Sequence, residues 1–452
     1  MSRSADFRKR LTAFESGDYV ITLNDFMLFA DQADAIAHGF LGMMSRTGEG
    51  VPQDYRAAGW VSLTGAGIHR TLPGGMDMSE DTLSRPRFRA DHVGSLKRPS
   101  ELLAARRDFE AGRISAHALR SNEDTHVKAV IRRQEEIGLQ VVTDGDMRRE
   151  SFHIDFLNKI GGIQWDDTRF ANPFLSGESA GDSPAVFRTS GAIKHENSVC
   201  VEDFLFLAAN TRQTPKVTIP SPSFAHYRGG RAAVDVGVYP DIDVFFSDLA
   251  AAYASEIKAL GDAGCRYVQL DEVHFTFFCD PKMVASLETR GDDAGDLAKR
   301  YIKLINQSIG SRHDHMSIGV HLCRGNRRSS WVAEGGYEPV AEQLFNEIEA
   351  DTFLLEYDTE RAGGFEPLRF VPAKKHVVLG LVSSKFSELE SEDDIVRRLD
   401  EAARYIPLEQ LALGPQCGFA SSTEGNKLTE DDQWRKLERI VQVVERVWGK
   451  MA

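Results

Sequence analysis

The sequence is short of cysteine, with five in 452 residues, at positions 200, 265, 279, 323 and 417. Few, odd in number and widely separated, they exclude a disulfide framework of the kind that staples small secreted domains. No apolar run is long enough to cross a bilayer. The N-terminus, MSRSADFRKRLTAFESGDY, lacks the apolar centre of a secretory signal. Positive charge is also in deficit: 54 Lys and Arg stand against 68 Asp and Glu, a formal net charge of −14. Nonspecific nucleic-acid binding needs clustered cations on phosphates, so that class is excluded. No glycine-rich phosphate loop follows an early strand-like run, which removes the signature of a dinucleotide-binding sheet. These absences leave a cytoplasmic protein with neither membrane nor nucleic-acid partners. Its composition is ordinary and globular, 42% hydrophobic and 27% charged, and its length suits one large domain plus a small one. In a reducing compartment a paired cysteine is a metal ligand or nucleophile, whereas Cys200, Cys265 and Cys279 read as small buried hydrophobes.

Residues 1–72 have helical apolar spacing broken by glycines at turn positions. Within them Leu41, Gly42, Met43, Gly48, Gly50, Val51, Pro52, Gln53, Asp54, Tyr55, Ala58 and Trp60 resemble a Sel1-like repeat, a relative of tetratricopeptide helix hairpins. So few repeats cannot bury their own faces, so the segment is expected to dock on the main domain, another copy of the chain or a protein partner. A linker over 73–87, TLPGGMDMSEDTLSRPR at its fullest extent, is rich in Gly, Pro, Ser and Asp.

From Phe88 onward, apolar runs alternate with helical patterns: FRADHV, LQVVTDG, KVTIPSP, YVQLDEV, SIGVHLC, TFLLEYD, HVVLGLVSS and LALGPQC. Helices such as DLAAAYASEIKALGDAGC lie between most of them. This alternation predicts an α/β fold, a (β/α)8 TIM barrel over 88–452, with hairpins or an inserted subdomain within 150–210. A doubly wound sheet is the alternative.

Polar residues collect where the runs end: His92, Gly94 and Ser95; Asp144 and Asp146; Asp271 and Glu272; His321 and Cys323; Glu356 and Asp358; Ser383, Ser384 and Lys385; Cys417. A barrel gathers all these strand ends on one face, where its active site sits. His321 and Cys323, two residues apart on a strand, share a face. With Glu356 and Cys417 they offer an imidazole, two thiolates and a carboxylate, a set suited to zinc. Two thiolates make such an ion a poor activator of water and a good partner for an incoming thiol, which favours alkyl transfer to sulfur over hydrolysis. Arg324, Arg327 and Arg328 follow at once, either to meet an anionic tail or as surface residues. Asp146 equally suits the cap of a helix over MRRESFHIDFL.

These motifs resemble the cobalamin-independent methionine synthase family, specifically its C-terminal catalytic barrel, from about Phe88 to the C-terminus. The resemblance implies zinc at His321, Cys323, Glu356 and Cys417, and a homocysteine pocket at Gly94-Ser95, Asp146 and Asp271-Glu272, with His92 beside it. It implies Ser95 on the amino-acid carboxylate and Asp146 and Asp271 on its ammonium. If the donor is a methylated folate, Asp271, Glu272 or Lys385 would protonate the leaving amine. The chain departs from the family in three places. The additional N-terminal barrel of full-length members is absent. VSSKFS, with Ser383 and Lys385, stands where the family has Y-D-I-H-S. Pro222 stands where a folate-stacking tryptophan follows V-T-I. The expectation is therefore a zinc-dependent methyltransferase acting on homocysteine from a methyl-tetrahydrofolate-type donor. The rivals are alkyl transfer to another thiol, as in epoxyalkane:coenzyme M transferase, transfer from a non-folate donor, and a non-enzymatic scaffold with a partner-binding Sel1-like segment.

Overall fold

The computed structural model describes residues 87–166 and 186–450. The Sel1-like segment expected at 1–72 and nearly all of the linker lie outside the described residues.

The strands are β1 (Val141–Val142), β2 (Gly161–Asp166), β3 (Val186–Lys194), β4 (Thr214–Pro220), β5 (Tyr267–Glu272), β6 (Ser317–Leu322), β7 (Thr352–Glu356), β8 (His376–Val382) and β9 (Leu411–Pro415). Seven of them form one sheet in the order β1-β4-β5-β6-β7-β8-β9, every pair parallel. The expected first strand, FRADHV, pairs with the far edge of this sheet. Ala90 bridges Leu413 in parallel, Asp91 N–H donates to the Leu413 carbonyl (3.1 Å) and Leu413 N–H to the Arg89 carbonyl (2.8 Å). Just beyond, Thr143 Oγ1 donates to the Gly94 carbonyl at 2.7 Å, and Leu96 N–H donates to the Gly145 carbonyl at 3.0 Å. The 88–96 segment thus joins the two edges and curls the sheet, a parallel α/β architecture. The expected hairpin in 150–210 is β2 paired antiparallel with β3, with Trp165 opposite Phe187.

Helices cover the outside. Those over Ile242–Asp262, Ala294–Ile309 and Glu430–Trp448 turn their apolar faces to the strands. The first two are capped by Asp241 and Asp293, and the last by a reciprocal capping box of Thr429 and Asp432. The main apolar core lies between helices and strands. Leu354, Val378 and Ala412, from β7, β8 and β9, form a separate buried apolar cluster. Across from them is a buried polar group: Lys216 Nζ donates to Asp91 Oδ1 (2.7 Å) and Gln269 Oε1 (2.9 Å), and Tyr267 OH donates to Asp91 Oδ2 (2.7 Å). A buried lysine is tolerated because each of these acceptors is aimed at it. Gly319 makes room for this layer, since a Cβ there would press on Tyr267 and Leu354 at 3.2 Å.

The helix expected over MRRESFHIDFL is confined to Ile154–Leu157, so Asp146 caps nothing. Asp146 instead takes a left-handed conformation, φ 57°, which costs a non-glycine residue about a kcal/mol or more. Three ties hold it there. Its N–H donates to Asp144 Oδ1 (2.9 Å), its carbonyl accepts from Arg98 (2.9 Å), and its carboxylate lies 3.2 Å from Arg149.

Candidate active site

β6 ends on His321 and Leu322, and its alternation sends His321 and Cys323 the same way; Cys417 follows β9. The ligand atoms of His321, Cys323 and Cys417 lie within 4.8 Å of one another, all buried. His321 Nδ1 contacts the Leu354 carbonyl at 3.2 Å, and its Nε2 is buried with no hydrogen-bond partner. A bond from Nδ1–H to the carbonyl fixes the tautomer that leaves a lone pair on Nε2, the arrangement seen in metal-ligating histidines. The two thiols stand close together. That contact, helped by His321, holds Cys417 well below the usual thiol range, while the same contact and burial push Cys323 well above it. Burial alone would lower the His321 imidazole, but Cys417 and Asp271 outweigh it and draw a proton there. The cluster is a place where positive charge is favoured. An orphan imidazole nitrogen, two thiols and that field fit a zinc ion.

Glu356, at the end of β7, is close enough to raise Cys323 further, yet its oxygens are engaged. Arg324 N–H (2.9 Å) and Gln416 Nε2 (2.8 Å) donate to Oε2, and Arg361 Nε donates to Oε1 (2.9 Å). Burial alone would raise its carboxyl, but Lys385, Arg324 and Arg361 keep it below the ordinary range. Three of the four sequence-predicted ligands are thus brought together, and the fourth is held beside them by cations. Lys385 is 1% exposed, not a solvated loop residue. Its Nζ donates to the Gly325 carbonyl (3.0 Å) and Asn326 Oδ1 (3.3 Å).

Asp271 pairs in register with His321, and burial pushes its carboxyl up to about 7 against the pull of His321 and Gln269. Gln269 Nε2 donates to Asp271 Oδ1 at 2.7 Å, and Gln269 is itself oriented by Lys216. Asp146 and Cys417 both add to the field on Asp271, so Asp146, Asp271, His321 and Cys417 share one neighbourhood. Gly94, φ 128°, brings the chain against β4, where a Cβ would meet Thr218 at 2.7 Å. Ser95 is buried, and its carbonyl accepts from Phe419 N–H (2.9 Å). A Cβ built on Gly418 would overlap its hydroxyl, so Ser95 faces the Cys417 turn.

Glu272, expected in the pocket, is engaged by other groups. Glu272 accepts from Ser223 Oγ and His274 N–H, each at 2.5 Å, in an aromatic surround that includes Tyr227 stacked on His274 at 4.1 Å. His92 is buried with its Nε2 unpartnered, and burial and then Lys216 depress its imidazole to about 3. Asp91, its neighbour, takes the inward position. Arg324 is wholly buried: its side chain donates to the Gly335 and Glu356 carbonyls and lies 4.5 Å from the Tyr337 ring. It is neither a surface residue nor an anion hook, while Arg327 and Arg328 are exposed. Arg361, Gln416, Gln269 and Lys216 went unnoticed in the sequence. Gln416 alone carried a signal, adjacency to Cys417.

Among the described residues no helix is long and apolar enough to cross a membrane. A family model described as cobalamin-independent synthase, catalytic domain, matches residues 88–444. An uncharacterized Bacillus subtilis protein, YxjH, is 42% identical over 370 residues, 80% of this chain and 95% of its own. Methionine synthase of Pyrococcus horikoshii is 25% identical over 364 residues, 78% of this chain and 91% of its own. A crystal structure from Listeria monocytogenes, provisionally assigned as a vitamin-B12 independent methionine synthase, is 36% identical with a TM-score of 0.65, covering 81% of this chain and all of that one.

Proposed function

Since the chain belongs to the family of the cobalamin-independent synthase catalytic domain, we propose that it is a cytoplasmic, zinc-dependent methyltransferase that methylates a thiol, homocysteine to methionine. The observation that carries this reading is the unpartnered His321 Nε2 beside two buried thiols. His321, Cys323 and Cys417 would hold a zinc ion, and Glu356, now engaged by Arg324, Arg361 and Gln416, would be its fourth ligand. The ion supplies a soft Lewis acid that keeps a substrate thiol deprotonated yet nucleophilic. A scaffold has no use for such a set, and burying it unsatisfied costs stability.

The remaining roles follow from the chain's own groups. Ser95 and the Gly94 turn take the carboxylate of the amino-acid substrate, and Asp271, fastened at Oδ1 by Gln269, takes its ammonium together with Asp146. The sulfur forms its bond to the methyl carbon as the donor's bond to that carbon breaks. With an N-methyl donor the departing nitrogen needs a proton. Lys385, buried and near enough to influence Cys323 and Cys417, would donate it at this end, where the family's histidine motif is missing. Glu272, held by Ser223 and His274, supports the wall, and His92 lies beside the pocket. The catalytic unit is residues 88–452, and residues 1–72 provide a docking segment for another copy or a protein partner.

Formation of methionine from homocysteine tests this reading with mono- and triglutamate methyl-tetrahydrofolate. Product from either donor is expected, with loss of at least a hundredfold in Cys417→Ser. Product from neither shifts the assignment to another donor or thiol, the coenzyme M-type alternative included.

A further inference from the structure

Alternation along β5 puts Tyr267, Gln269 and Asp271 on one face of the strand. All three are buried, and they climb toward the thiol cluster, where Asp271 pairs in register with His321. Beside this row stands Lys216 of β4, in register with Tyr267 and with its side chain wholly enclosed. An ammonium has three N–H donors and no acceptor. Each donor of Lys216 is used, on Asp91 Oδ1 (2.7 Å), on Gln269 Oε1 (2.9 Å) and on the His92 carbonyl.

A lysine can only donate, so the Gln269 amide must turn its oxygen toward Lys216 and its NH2 group away. The amide hydrogens then reach two different acceptors, the Val93 carbonyl and Asp271 Oδ1, both at 2.7 Å. Val93 immediately precedes the Gly94-Ser95 turn. One amide thus ties together the two places that would grip the ends of an amino acid. Asp91 braces the same turn, accepting from His92 N–H (2.7 Å) and from Tyr267 OH (2.7 Å). Among the described residues only Oδ1 of Asp271 accepts a side-chain hydrogen bond, which leaves Oδ2 for a ligand. An apolar filling would serve stability as well, because a buried ion pair often contributes no more than hydrophobic residues of the same volume. The other side of this interior is indeed apolar, filled by Leu354, Val378 and Ala412. The polar side is the one bonded to Asp271 and to the backbone before Gly94.

We propose that Lys216 and Gln269 are positioning residues that set the separation of the Gly94-Ser95 turn and Asp271, and so select thiols carrying an α-amino-acid head. The inference rests on the homocysteine reading above. It adds two residues that touch no substrate and decide which thiol is held.

The test is binding of two thiols to the full-length, zinc-loaded protein, measured by calorimetry without a methyl donor. L-Homocysteine carries the head group, and propane-1-thiol is the same chain without its carboxylate and ammonium. The wild-type protein is expected to hold homocysteine about tenfold or more tightly than propane-1-thiol. Gln269→Leu, which keeps the buried ion pair, should weaken homocysteine by about tenfold or more and leave propane-1-thiol affinity and zinc content unchanged. Lys216→Met combined with Asp91→Asn removes the pair without stranding a buried carboxylate, and should do the same. If that double variant does not fold, Gln269→Leu alone decides. Parallel weakening of both thiols, as general damage to the barrel would give, overturns the proposal. So does homocysteine binding unchanged in Gln269→Leu, or a wild-type protein with no preference between the thiols. The two readings fail separately. Selective loss of homocysteine binding in a protein that makes no methionine from any methyl donor sinks the transfer reading alone. Methionine formation with homocysteine binding indifferent to the variants sinks the positioning role alone.

Discussion

Arg361 Nε lies 2.9 Å from Glu356 Oε1, so a cation and the thiol cluster compete for the same carboxylate. Removing the competitor and removing the carboxylate should have opposite effects on the metal. Arg361→Leu is expected to tighten zinc a few-fold and to weaken homocysteine binding, because Glu356 then gives way less readily. Glu356→Gln is expected to weaken zinc by about tenfold or more. Competition against a fluorescent chelator measures both. Shifts in the same direction would show that Glu356 only shapes the surroundings of the site.

Gly418 packs against the Ser95 hydroxyl, so Gly418→Ala must turn that hydroxyl aside. If Ser95 binds the substrate carboxylate, the lost charge-assisted hydrogen bond is worth about 1.5–3 kcal/mol, or roughly ten- to a hundredfold in KM. The rate at saturating homocysteine and the zinc content should change little. A loss confined to the saturated rate would place Ser95 elsewhere in the reaction.

Acid should destabilise the fold through two buried histidines. Burial, with Lys216 against His92 and Arg290 against His226, depresses both imidazoles to about 3. Their folded-state pKa values lie below the unfolded value, so the unfolded chain binds the extra protons. The stability they provide is full above about pH 6.5 and is lost as pH falls from there toward 3, each site contributing at most about 1.4 kcal/mol per pH unit. Denaturant midpoints between pH 7.5 and 5 should fall accordingly, and His226→Asn should flatten that fall by one proton. His226 Nδ1 contacts Tyr301 OH at 2.9 Å, so the variant will be less stable throughout. The slope, not the absolute stability, is the readout. An unchanged slope would contradict neutral burial.

The parallel strands and the convergence of His321, Cys323 and Cys417 were legible because alternation and strand ends are local properties. The spacing of two in HLC sets a shared face whatever surrounds it. Two kinds of fact were not legible. His92 and Asp91 are neighbours, and which of them faces inward depends on register with Leu413, set across the whole chain. Lys216 in KVTIPSP reads as the polar edge of a strand, and only Asp91 and Gln269, brought from other strands, make it a buried residue. The same applies to Glu356, whose freedom to bind metal depends on Arg361 and Gln416. The helix expected over MRRESFHIDFL failed for a related reason: backbone ties at Asp146 and contacts with the 421–423 loop hold that segment, including Phe152 N–H to the Ser421 carbonyl at 3.2 Å.

The most direct test of the central claim is the zinc-edge X-ray absorption spectrum of the purified protein with and without homocysteine. The account predicts about one zinc per chain, bound through two sulfurs and a histidine, with one further sulfur and loss of an oxygen or nitrogen neighbour when homocysteine is added. It predicts loss of the ion in Cys417→Ser. A protein that retains no zinc, or a sulfur count that homocysteine leaves unchanged, would contradict it.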